Sequence, residues 1–259
     1  MPLVLTSLED TIGTIVLNHA EKRNALSQAL IADILEALAA FRLQNPRVVI
    51  LRAPEGTKVW SAGHDVSELP QSHRDPLGWD DPLRLLIREV ENYPAPIIAM
   101  IEGSVWGGAC EVAFACDLVI AADDATFAIT PAKLGVPYNL SGLMTFMNVI
   151  SLHVAKEMAF TGLPVTAAKA ERLGIINQVA PRQELMQRTY DMAKHIARNA
   201  PLSIAVMKEE LNLLANAYDL SPVMFERIQS LRRVVYNSQD YQEGIRAFLE
   251  KRVPAFTGK

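Results

Sequence analysis

The stretch between residues 96 and 122 constrains the fold of this chain more than any other. It opens with PIIAMI, an apolar run with the length and composition of a buried strand, and the glycine pair Gly107-Gly108 follows shortly after. Beyond the pair, apolar residues recur at helical spacing, for example at Val112 and Cys116. A buried strand, a glycine turn and a buried helix in this order predict an α/β fold.

The glycine pair suits a ligand as well as a turn. Without Cβ atoms the backbone can approach a ligand closely, and the first amides of a helix carry the positive end of its dipole. Such an amide favours a developing negative oxygen. The simpler interpretation is that Gly107 and Gly108 only close a tight turn, so a second donor is needed. The small-residue turn SAGHD at 61–65 follows an extended run and could supply it.

The composition indicates a globular α/β protein. Half of the 259 residues are hydrophobic, which is enough for one large domain or for a domain with a helical appendage. We predict an α/β core over residues 1–200 and a C-terminal helical region over residues 201–259. The formal net charge is -4 and basic residues are interspersed with acidic ones, so nucleic acid is not an expected partner.

Two features predict a cytoplasmic location. Cys110 and Cys116 are the only cysteines, and six helical steps place them about 240° apart, so they are predicted not to pair. The N-terminal sequence MPLVLTSLED lacks a basic region, and no apolar run approaches the roughly 18 residues of a membrane span. We therefore expect no membrane partner.

Local patterns predict the remaining elements. The predicted strands are Leu3–Leu8, Thr11–Leu17, Arg47–Arg52, Leu118–Ala122, Ala125–Ile129 and Ile175–Ala180. Further helices are predicted to start near Ser27, Pro82, Thr166, Pro201, Ser221 and Ser238, where capping residues or prolines precede apolar residues at helical spacing. The polar stretch between Leu69 and Asp81 is predicted to be a loop, either a mobile flap over a site or a solvated connection.

Several common chemistries leave no signature. The glycines near Gly107 do not form the dinucleotide-binding G-x-G-x-x-G pattern, no Walker sequence is present, and Ser104 does not lie in a nucleophile elbow. The five histidines are scattered without the spacing of metal ligands. No metal, nucleotide or serine-triad site is predicted.

Five segments resemble a known family. The runs SAGHD, EGSVWGGACEVAFACDLVIAA, FAITPAKLGVPYNLSG, KAERLGIINQVA and SQDYQEGIRAFLEKR are similar to the crotonase (enoyl-CoA hydratase/isomerase) superfamily along essentially the whole chain. The resemblance implies a ββα spiral core with a C-terminal helical region, trimers or pairs of trimers, and an acyl-CoA thioester substrate. Coenzyme A enters as part of that substrate, and no separate cofactor is implied.

The resemblance also implies the site residues. By motif, the backbone N–H groups of His64 in SAGHD and Gly108 in VWGGA donate to the thioester oxygen, where the charge of an enolate collects. Lys22 and Arg23 have the alternative interpretation of solvated surface charges. The implied substrate-binding residues are Lys22, Arg23, Ala25, Ala62, Asp65, Val66, Trp106, Pro131, Phe248 and Lys251, the last two on a C-terminal helix.

The carboxylates separate the reactions of the superfamily. Its hydratases deliver water with two glutamates; Glu111 matches the first, whereas Pro131, preceded by Thr130, stands at the second position. Without the second group, hydration loses its partner acid/base residue. Loss of CO2 from a malonyl-type thioester needs no such pair. SAGHD, RDPLGWDDPLR, SVWGGA and LGVPYNL resemble the bacterial decarboxylases most, so we expect decarboxylation of methylmalonyl-CoA or a related thioester.

Three hypotheses stay open at this point: a decarboxylase, another lyase or thioester hydrolase, and a non-catalytic or RNA-binding relative. Tyr138 and Thr130 are the polar candidates near the leaving carboxylate, but Tyr138 is alternatively a rim residue satisfied by solvent. Glu111 is either catalytic or a first-turn glutamate favoured by the helix dipole, and as a lone acid/base it would indicate another lyase or a thioester hydrolase. A non-catalytic or RNA-binding relative is the third reading, which the acidic balance argues against.

Overall fold

The computed structural model describes residues 2–69, 78–217 and 221–258. The strands are β1 (Val4–Glu9), β2 (Ile12–Leu17), β3 (Val48–Arg52), β4 (Val59–Ser61), β5 (Ile97–Ile101), β6 (Ser104–Trp106), β7 (Leu118–Ala122), β8 (Thr126–Ala128), β9 (Val165–Thr166) and β10 (Gln178–Ala180). The α-helices are α1 (Gln28–Gln44), α2 (Pro82–Glu91), α3 (Gly108–Ala115), α4 (Leu140–Val149), α5 (Leu152–Thr161), α6 (Ala167–Arg172), α7 (Leu185–Ala197), α8 (Pro201–Ala215), α9 (Pro222–Tyr236) and α10 (Gln239–Leu249). Short 3-10 helices lie at Ala20–Lys22, Val66–Glu68, Pro131–Leu134 and Arg182–Glu184.

The chain alternates between two sheets. In the described part of the chain, one sheet has the order β1-β2-β3-β5-β7-β10 and the other has the order β4-β6-β8-β9. Each turn of the chain therefore adds one strand to each sheet and then a helix, as in β3-β4-α2, β5-β6-α3 and β7-β8-α4. Strands added in this way are parallel to their neighbours. The predicted ββα spiral is confirmed.

Both faces of the larger sheet are buried. In β3, Val49 and Leu51 belong to the main core cluster, whereas Val48 and Ile50 belong to a second cluster that includes Leu185 of α7. Side chains alternate between the faces of a strand, so a strand covered on both sides is apolar at nearly every position. This packing fixes β5 and β7, and with them the loops that form the site.

The predicted helix starts agree with the observed caps. Ser27 Oγ accepts a hydrogen bond from Leu30 N at 3.2 Å at the start of α1. Ser221 and Ser238 cap α9 and α10 in the same way. Asn45 ends α1 in the left-handed conformation, with φ at 50°. Side-chain caps satisfy amides that the helix leaves unpaired, which is why these starts are legible in sequence.

Two predictions of local structure are wrong. The sequence pattern runs from β5 through a turn directly into α3, but Ser104–Trp106 form β6, which pairs with β4 and β8. Three residues are too few to show alternation, and their partners lie elsewhere in the chain. The strand predicted over Ile175–Ala180 is limited to Gln178–Ala180. Ile175 is buried in the core without strand pairing, so its apolar character reports burial only.

The C-terminal helices are tied to the α/β core by polar and close backbone contacts. Lys208 of α8 is buried, and its Nζ donates to Val90 O at 3.1 Å and to Asp117 Oδ2 at 2.7 Å. In α10, a Cβ on Gly244 would lie 2.1 Å from Leu134 O. The division at residue 200 remains a prediction. Within the described residues, no helix has the length and apolarity to cross a bilayer. In the predicted loop between Leu69 and Asp81, residues 70–77 lie outside the described residues.

Candidate active site

Two glycine turns meet at the N-terminus of α3. Gly63 and Gly107 hold left-handed backbone, with φ at 84° and 53°. A Cβ on Gly63 would lie 3.2 Å from Gly108 N, and His64 N lies 3.6 Å from the Cβ position of Gly108. The turns therefore bring the amides of His64 and Gly108 together. We call these two N–H groups the amide pair.

The amide pair takes no part in the backbone hydrogen bonds that hold the two turns in the described residues. The bridge between Leu26 and His64 uses the hydrogen bonds Leu26 N to Gly63 O at 2.8 Å and Asp65 N to Leu26 O at 3.3 Å. The N–H of His64 therefore points away from the bridge. Gly108 is the first residue of α3, and first-turn amides have no acceptor within their helix. Two such convergent donors can stabilise a negative oxygen.

The loop that carries Lys22 and Arg23 is fixed to the same turn. Asn24 adopts a left-handed conformation, with φ at 49°, and its Nδ2 donates to Trp60 O at 2.9 Å. Ala62 N donates to Arg23 O at 2.9 Å. The two segments predicted to bind coenzyme A therefore lie side by side.

A cavity of about 1010 Å³ opens at the amide pair. Its size falls in the range of pockets that bury small-molecule ligands. The predicted site residues that line it are Lys22, Arg23, Ala25, Ala62, His64, Asp65, Val66, Trp106, Gly108, Thr130, Pro131, Tyr138, Phe248 and Lys251. One detail of the prediction is wrong, because Lys251 lies beyond the end of α10 at Leu249. In the described ranges, no cluster of three or more His, Cys, Asp or Glu side chains could hold a metal ion.

Glu111 is the predicted site residue that the structure does not place on the cavity wall. It is fully buried in the first turn of α3, and its Oε1 accepts a hydrogen bond from Nη1 of the buried Arg84 of α2. Its Oε2 has no hydrogen-bond partner among the described residues. Burial raises the pKa of the Glu111 carboxyl, and the charge of Arg84 opposes that rise. One carboxylate oxygen is thus occupied by an ion pair.

Tyr138 lies between Glu111 and the cavity. Its ring contacts Phe146 edge-on, with 4.9 Å between centroids, and a Cβ on Gly142 would lie 2.9 Å from Tyr138 Cδ1 and 3.0 Å from Glu111 Oε2. The hydroxyl is buried without a partner in the described part of the chain, so the reading as a solvated rim residue is wrong. Burial first, and the nearby Glu111 second, raise the pKa of the hydroxyl well above its usual value. A buried hydroxyl without a partner is uncommon, and this one can donate to a bound group.

Thr130 and Pro131 stand where the resemblance implies the second carboxylate of a hydratase. Pro131 opens a 3-10 helix, and Thr130 precedes it without a side-chain capping bond. Thr130 Oγ1 lies 3.2 Å from the Cβ position of Gly107, which places the hydroxyl at the glycine turn. The carboxylates on the cavity wall belong to Glu21 and Asp65, and each has a neighbouring basic side chain, His19 and Lys22 respectively.

The His64 side chain anchors its own backbone amide. Its Nε2 lies 3.7 Å from Asp81 Oδ2, and its Nδ1 lies 3.1 Å from Asp65 O. Burial lowers the pKa of His64, but the hydrogen bond and charge of Asp81, the carbonyl of Asp65 and the charge of Glu68 together outweigh burial and raise the pKa above the ordinary 6.5. Asp81 is itself fixed, because its Oδ1 accepts from Leu83 N at 2.9 Å as the cap of α2.

The sequence analysis did not identify Arg84 or the contact between Asp81 and the His64 ring as parts of the site. Both belong to the start of α2, where Leu83, Ile87 and Val90 form the buried stripe. Arg84 lies on this stripe and is buried with it. A charged residue on the apolar stripe of an amphipathic helix is buried only with a partner, and that signal was present in PLRLLIREV. The identity of the partner was not.

The fold and site define a class of protein that comparison also finds. The model of the enoyl-CoA hydratase/isomerase family matches residues 7–259, and the chain belongs to this family. Among curated relatives, methylmalonyl-CoA decarboxylase of Escherichia coli K12 is 51% identical over 247 residues, covering 95% of each chain. Carnitinyl-CoA dehydratase of the same strain is 31% identical over 245 residues, covering 92% of each chain.

Solved structures give the same relation. A methylmalonyl-CoA decarboxylase in complex with 2S-carboxypropyl-CoA has a TM-score of 0.98 and 49% identity, covering 100% of this chain and 99% of the other. A methylmalonyl-CoA decarboxylase in complex with 2-nitronate-propionyl-CoA has a TM-score of 0.98 and 49% identity, covering 99% of both chains.

Proposed function

We propose that this protein decarboxylates methylmalonyl-CoA to propionyl-CoA and CO2. The observation that carries the proposal is the amide pair, His64 N–H and Gly108 N–H, in a cavity where Pro131 replaces the second carboxylate of a hydratase. The similarity to methylmalonyl-CoA decarboxylase of E. coli supports it. So do the coenzyme A derivatives bound in the related decarboxylase structures.

The first step breaks the bond between Cα and the carboxylate carbon. The electron pair of that bond enters the thioester to give an enolate, and CO2 leaves. Negative charge collects on the thioester oxygen, where the amide pair of His64 and Gly108 donates two hydrogen bonds. Such preorganised donors are typically the largest catalytic contribution in an acyl-transfer type of site. The reaction is redox-neutral and its charge stays on the thioester, so the proposal includes no cofactor.

The leaving carboxylate must stand perpendicular to the thioester plane. Only then can the breaking bond feed its electrons into the carbonyl π system, so orientation contributes directly to the rate. Tyr138 and Thr130 line the cavity, and the buried Tyr138 hydroxyl has no partner among the described residues. These groups orient the carboxylate. Glu111, held by Arg84, removes no proton, and the enolate takes its proton at Cα from water.

The rest of the cavity suits coenzyme A. Lys22, Arg23 and Lys251 supply positive charge for its phosphates, and Trp106 and Phe248 supply apolar surface. Lysine and arginine are the usual phosphate-binding side chains of proteins.

The proposal is tested by incubating the purified protein with methylmalonyl-CoA and identifying the products by mass spectrometry. Propionyl-CoA and CO2 are expected. Malonyl-CoA and ethylmalonyl-CoA should differ from the preferred substrate by about 10- to 200-fold, the discrimination that a methylene allows. Crotonyl-CoA tests the alternatives, since hydration at a comparable rate would show that Glu111 serves a hydratase. Release of free coenzyme A would indicate a thioester hydrolase.

We propose further that the protein forms a homotrimer or a pair of trimers. The C-terminal helices α8 and α9 expose many large apolar side chains, and extensive exposed apolar surface is typical of association sites. These residues are Leu202, Val206, Met207, Leu211, Leu213, Leu214, Val223, Met224, Phe225, Leu231 and Val234. Light scattering of the purified protein measures the assembly directly.

We also propose a cytoplasmic location. Cys110 and Cys116 are both free thiols and both buried, as in proteins of reducing compartments. Fractionation of cells that express the tagged protein tests the location.

A further inference from the structure

The C-terminal tail, residues 250–258, forms part of the cavity wall. Lys251, Arg252 and Pro254 line the cavity, together with Gly244 and Phe248 of α10. The tail has no regular helix or strand beyond Leu249, and its backbone hydrogen bonds to α10 reach only as far as residue 252, where Arg252 N donates to Ala247 O at 3.0 Å. Beyond that residue, side-chain contacts hold the tail.

Two acidic residues of α10 supply these contacts. Both oxygens of Glu243 are saturated: Oε1 accepts from Arg252 Nη1 at 2.5 Å and from Ala255 N at 2.9 Å, and Oε2 accepts from Arg252 Nη2 at 2.9 Å and from Arg246 Nη2 at 2.9 Å. Asp240 accepts from Thr257 N at 2.7 Å and from Gly258 N at 2.8 Å. Glu243 therefore binds the first half of the tail, at Arg252 and Ala255, and Asp240 binds its second half, at Thr257 and Gly258.

The helix that carries Glu243 is itself fixed to the cavity. A Cβ on Gly244 would lie 2.1 Å from Leu134 O, and a Cβ on Gly135 would lie 2.7 Å from Asp240 O. Such close backbone approach excludes a side chain at either glycine. The 3-10 helix Pro131–Leu134 lines the cavity, so α10 is positioned directly against a second part of the same wall.

The two basic residues of the tail differ in what they can bind. The guanidinium of Arg252 is occupied by Glu243 on two nitrogens and by Glu250 on the third, at 2.6 Å from Nε. Lys251 forms no salt bridge with a described residue. Lys251 also has φ at 56°, a conformation that costs a lysine free energy and persists only where its surroundings enforce it.

We propose that Glu243 is a positioning residue for substrate binding: through Arg252 and Ala255 it holds the tail so that Lys251 faces the phosphates of the coenzyme A moiety. The proposal rests on the proposed acyl-CoA substrate. In this arrangement Arg252 is an anchor rather than a ligand. Glu243 touches neither the acyl group nor the amide pair, so its contribution is to binding and not to the bond-breaking step.

The experiment compares two substrates with the same reacting end. Methylmalonyl-CoA carries the phosphates, whereas the N-acetylcysteamine thioester of methylmalonate lacks them. Glu243→Gln should raise KM for methylmalonyl-CoA about tenfold or more, the size of one lost charge-assisted contact, while kcat stays within about twofold. With the truncated thioester the variant and the parent should have equal kcat/KM. An equal loss on both substrates, or no change on either, would overturn the proposal.

Two variants serve as controls. Glu184→Gln removes an exposed arginine pair, with Arg188 at 2.7 Å, and neither residue lines the cavity, so the variant should change the kinetics with neither substrate. Arg252→Gln breaks the same contact from the other side, so it should reproduce the Glu243→Gln effect. The double variant should then be no worse than either single one, because both remove one interaction. Additive losses would contradict the anchor role of Arg252.

A readout without turnover separates this proposal from the proposed function. Calorimetric titration of free coenzyme A into the parent and into Glu243→Gln should show the same weakening as KM. Trypsin should also cut after Lys251 and Arg252 faster in the variant. If the parent binds coenzyme A but does not decarboxylate methylmalonyl-CoA, the proposed function fails while the role of Glu243 stands. If coenzyme A binds both proteins equally, the role of Glu243 is refuted.

Discussion

The amide pair and the Glu111 cluster, which consists of Arg84, Glu111 and Tyr138, lie about one turn of α3 apart and are built in opposite ways. The amide pair is made of backbone N–H groups that glycine turns hold in place, and such groups do not titrate. The Glu111 cluster is made of buried side chains, two of whose polar atoms lack described partners. Burial raises the pKa of both Glu111 and Tyr138.

The difference indicates that the two regions contribute differently to activity and to stability. Backbone donors are satisfied by water or by a substrate oxygen and stabilise charge at any pH. Buried side chains are costly to desolvate, so each needs a partner. Glu111 has one in Arg84, whereas Tyr138 has none until a ligand is bound. The first region should therefore govern turnover, and the second should show separate effects on stability and activity.

The largest effect on turnover is expected from Gly108→Val. A Cβ at this position would lie 2.8 Å from Leu83 Cδ2 and 3.6 Å from His64 N, so bulk here displaces a substrate oxygen from both donors. Loss of one oxyanion donor typically lowers kcat by about 100- to 1000-fold. Steady-state kinetics on methylmalonyl-CoA measure the loss, and thermal unfolding checks that the variant is folded. A folded variant with near-normal kcat would refute the role of the amide pair.

Tyr138→Phe should come next and should leave stability intact. Removing a donor to the substrate carboxylate is expected to lower kcat/KM by about 10- to 100-fold, the size of a hydrogen bond to a charged group. Because the hydroxyl is buried without a described partner, its removal should not lower the free energy of unfolding. Single-turnover kinetics and urea unfolding test the two halves. Normal activity with reduced stability would reverse the assignment.

Glu111→Gln should show the opposite pattern. The change should lower kcat by less than about tenfold, well short of the loss of an obligatory general base, which is about 100-fold or more. It leaves the buried Arg84 without its counter-charge, so the free energy of unfolding should fall by about 3–5 kcal/mol. The same two measurements apply. A stable but inactive variant would make the chemistry carboxylate-driven and favour the hydratase or hydrolase alternative.

The smallest effect concerns the His64 ring. In Asp81→Asn the amide still caps α2, but the negative charge that raises the pKa of His64 is lost. Burial then dominates, and the pKa should fall below 6.5, as a proton NMR titration would show. The raised pKa of the parent adds stability that is full below pH 6.5 and is lost as the pH rises through the folded-state value. In Asp81→Asn this pH dependence should reverse, so that stability rises with pH, because the folded-state pKa then lies below the unfolded value. Unchanged titration would show that Asp81 does not control the ring.

Much of the fold could be predicted because its signals are local. The capping residues Ser27, Ser221 and Ser238 mark the starts of helices, because the first amides of a helix need a side-chain acceptor. The long apolar strands reflect a sheet covered on both faces. The strand β6 was missed because three residues carry no period, and its existence depends on pairing with β4 and β8.

The site could be predicted in outline for a similar reason. The glycine turns at Gly63 and Gly107 require a backbone conformation that other residues rarely adopt. Glycines at these positions therefore predict the turns, and the family resemblance indicates their role. Glu111 was correctly placed on α3 but not recognised as an ion-paired residue. Its partner Arg84 comes from another helix, 27 residues earlier, and no local pattern links the two.

The sequence by itself determined the long strands, the capped helices and the two glycine turns, and it shows Pro131 where the resemblance implies the second carboxylate of a hydratase. It could do so because caps, periodicity and glycine conformation depend on neighbours along the chain. The tertiary structure alone decided that the N–H groups of His64 and Gly108 lie close together and that Arg84 forms an ion pair with Glu111. It also decided that the Tyr138 hydroxyl lies buried and that Glu243 holds the tail against the cavity. These are distances between distant segments, and only packing around one core sets such distances.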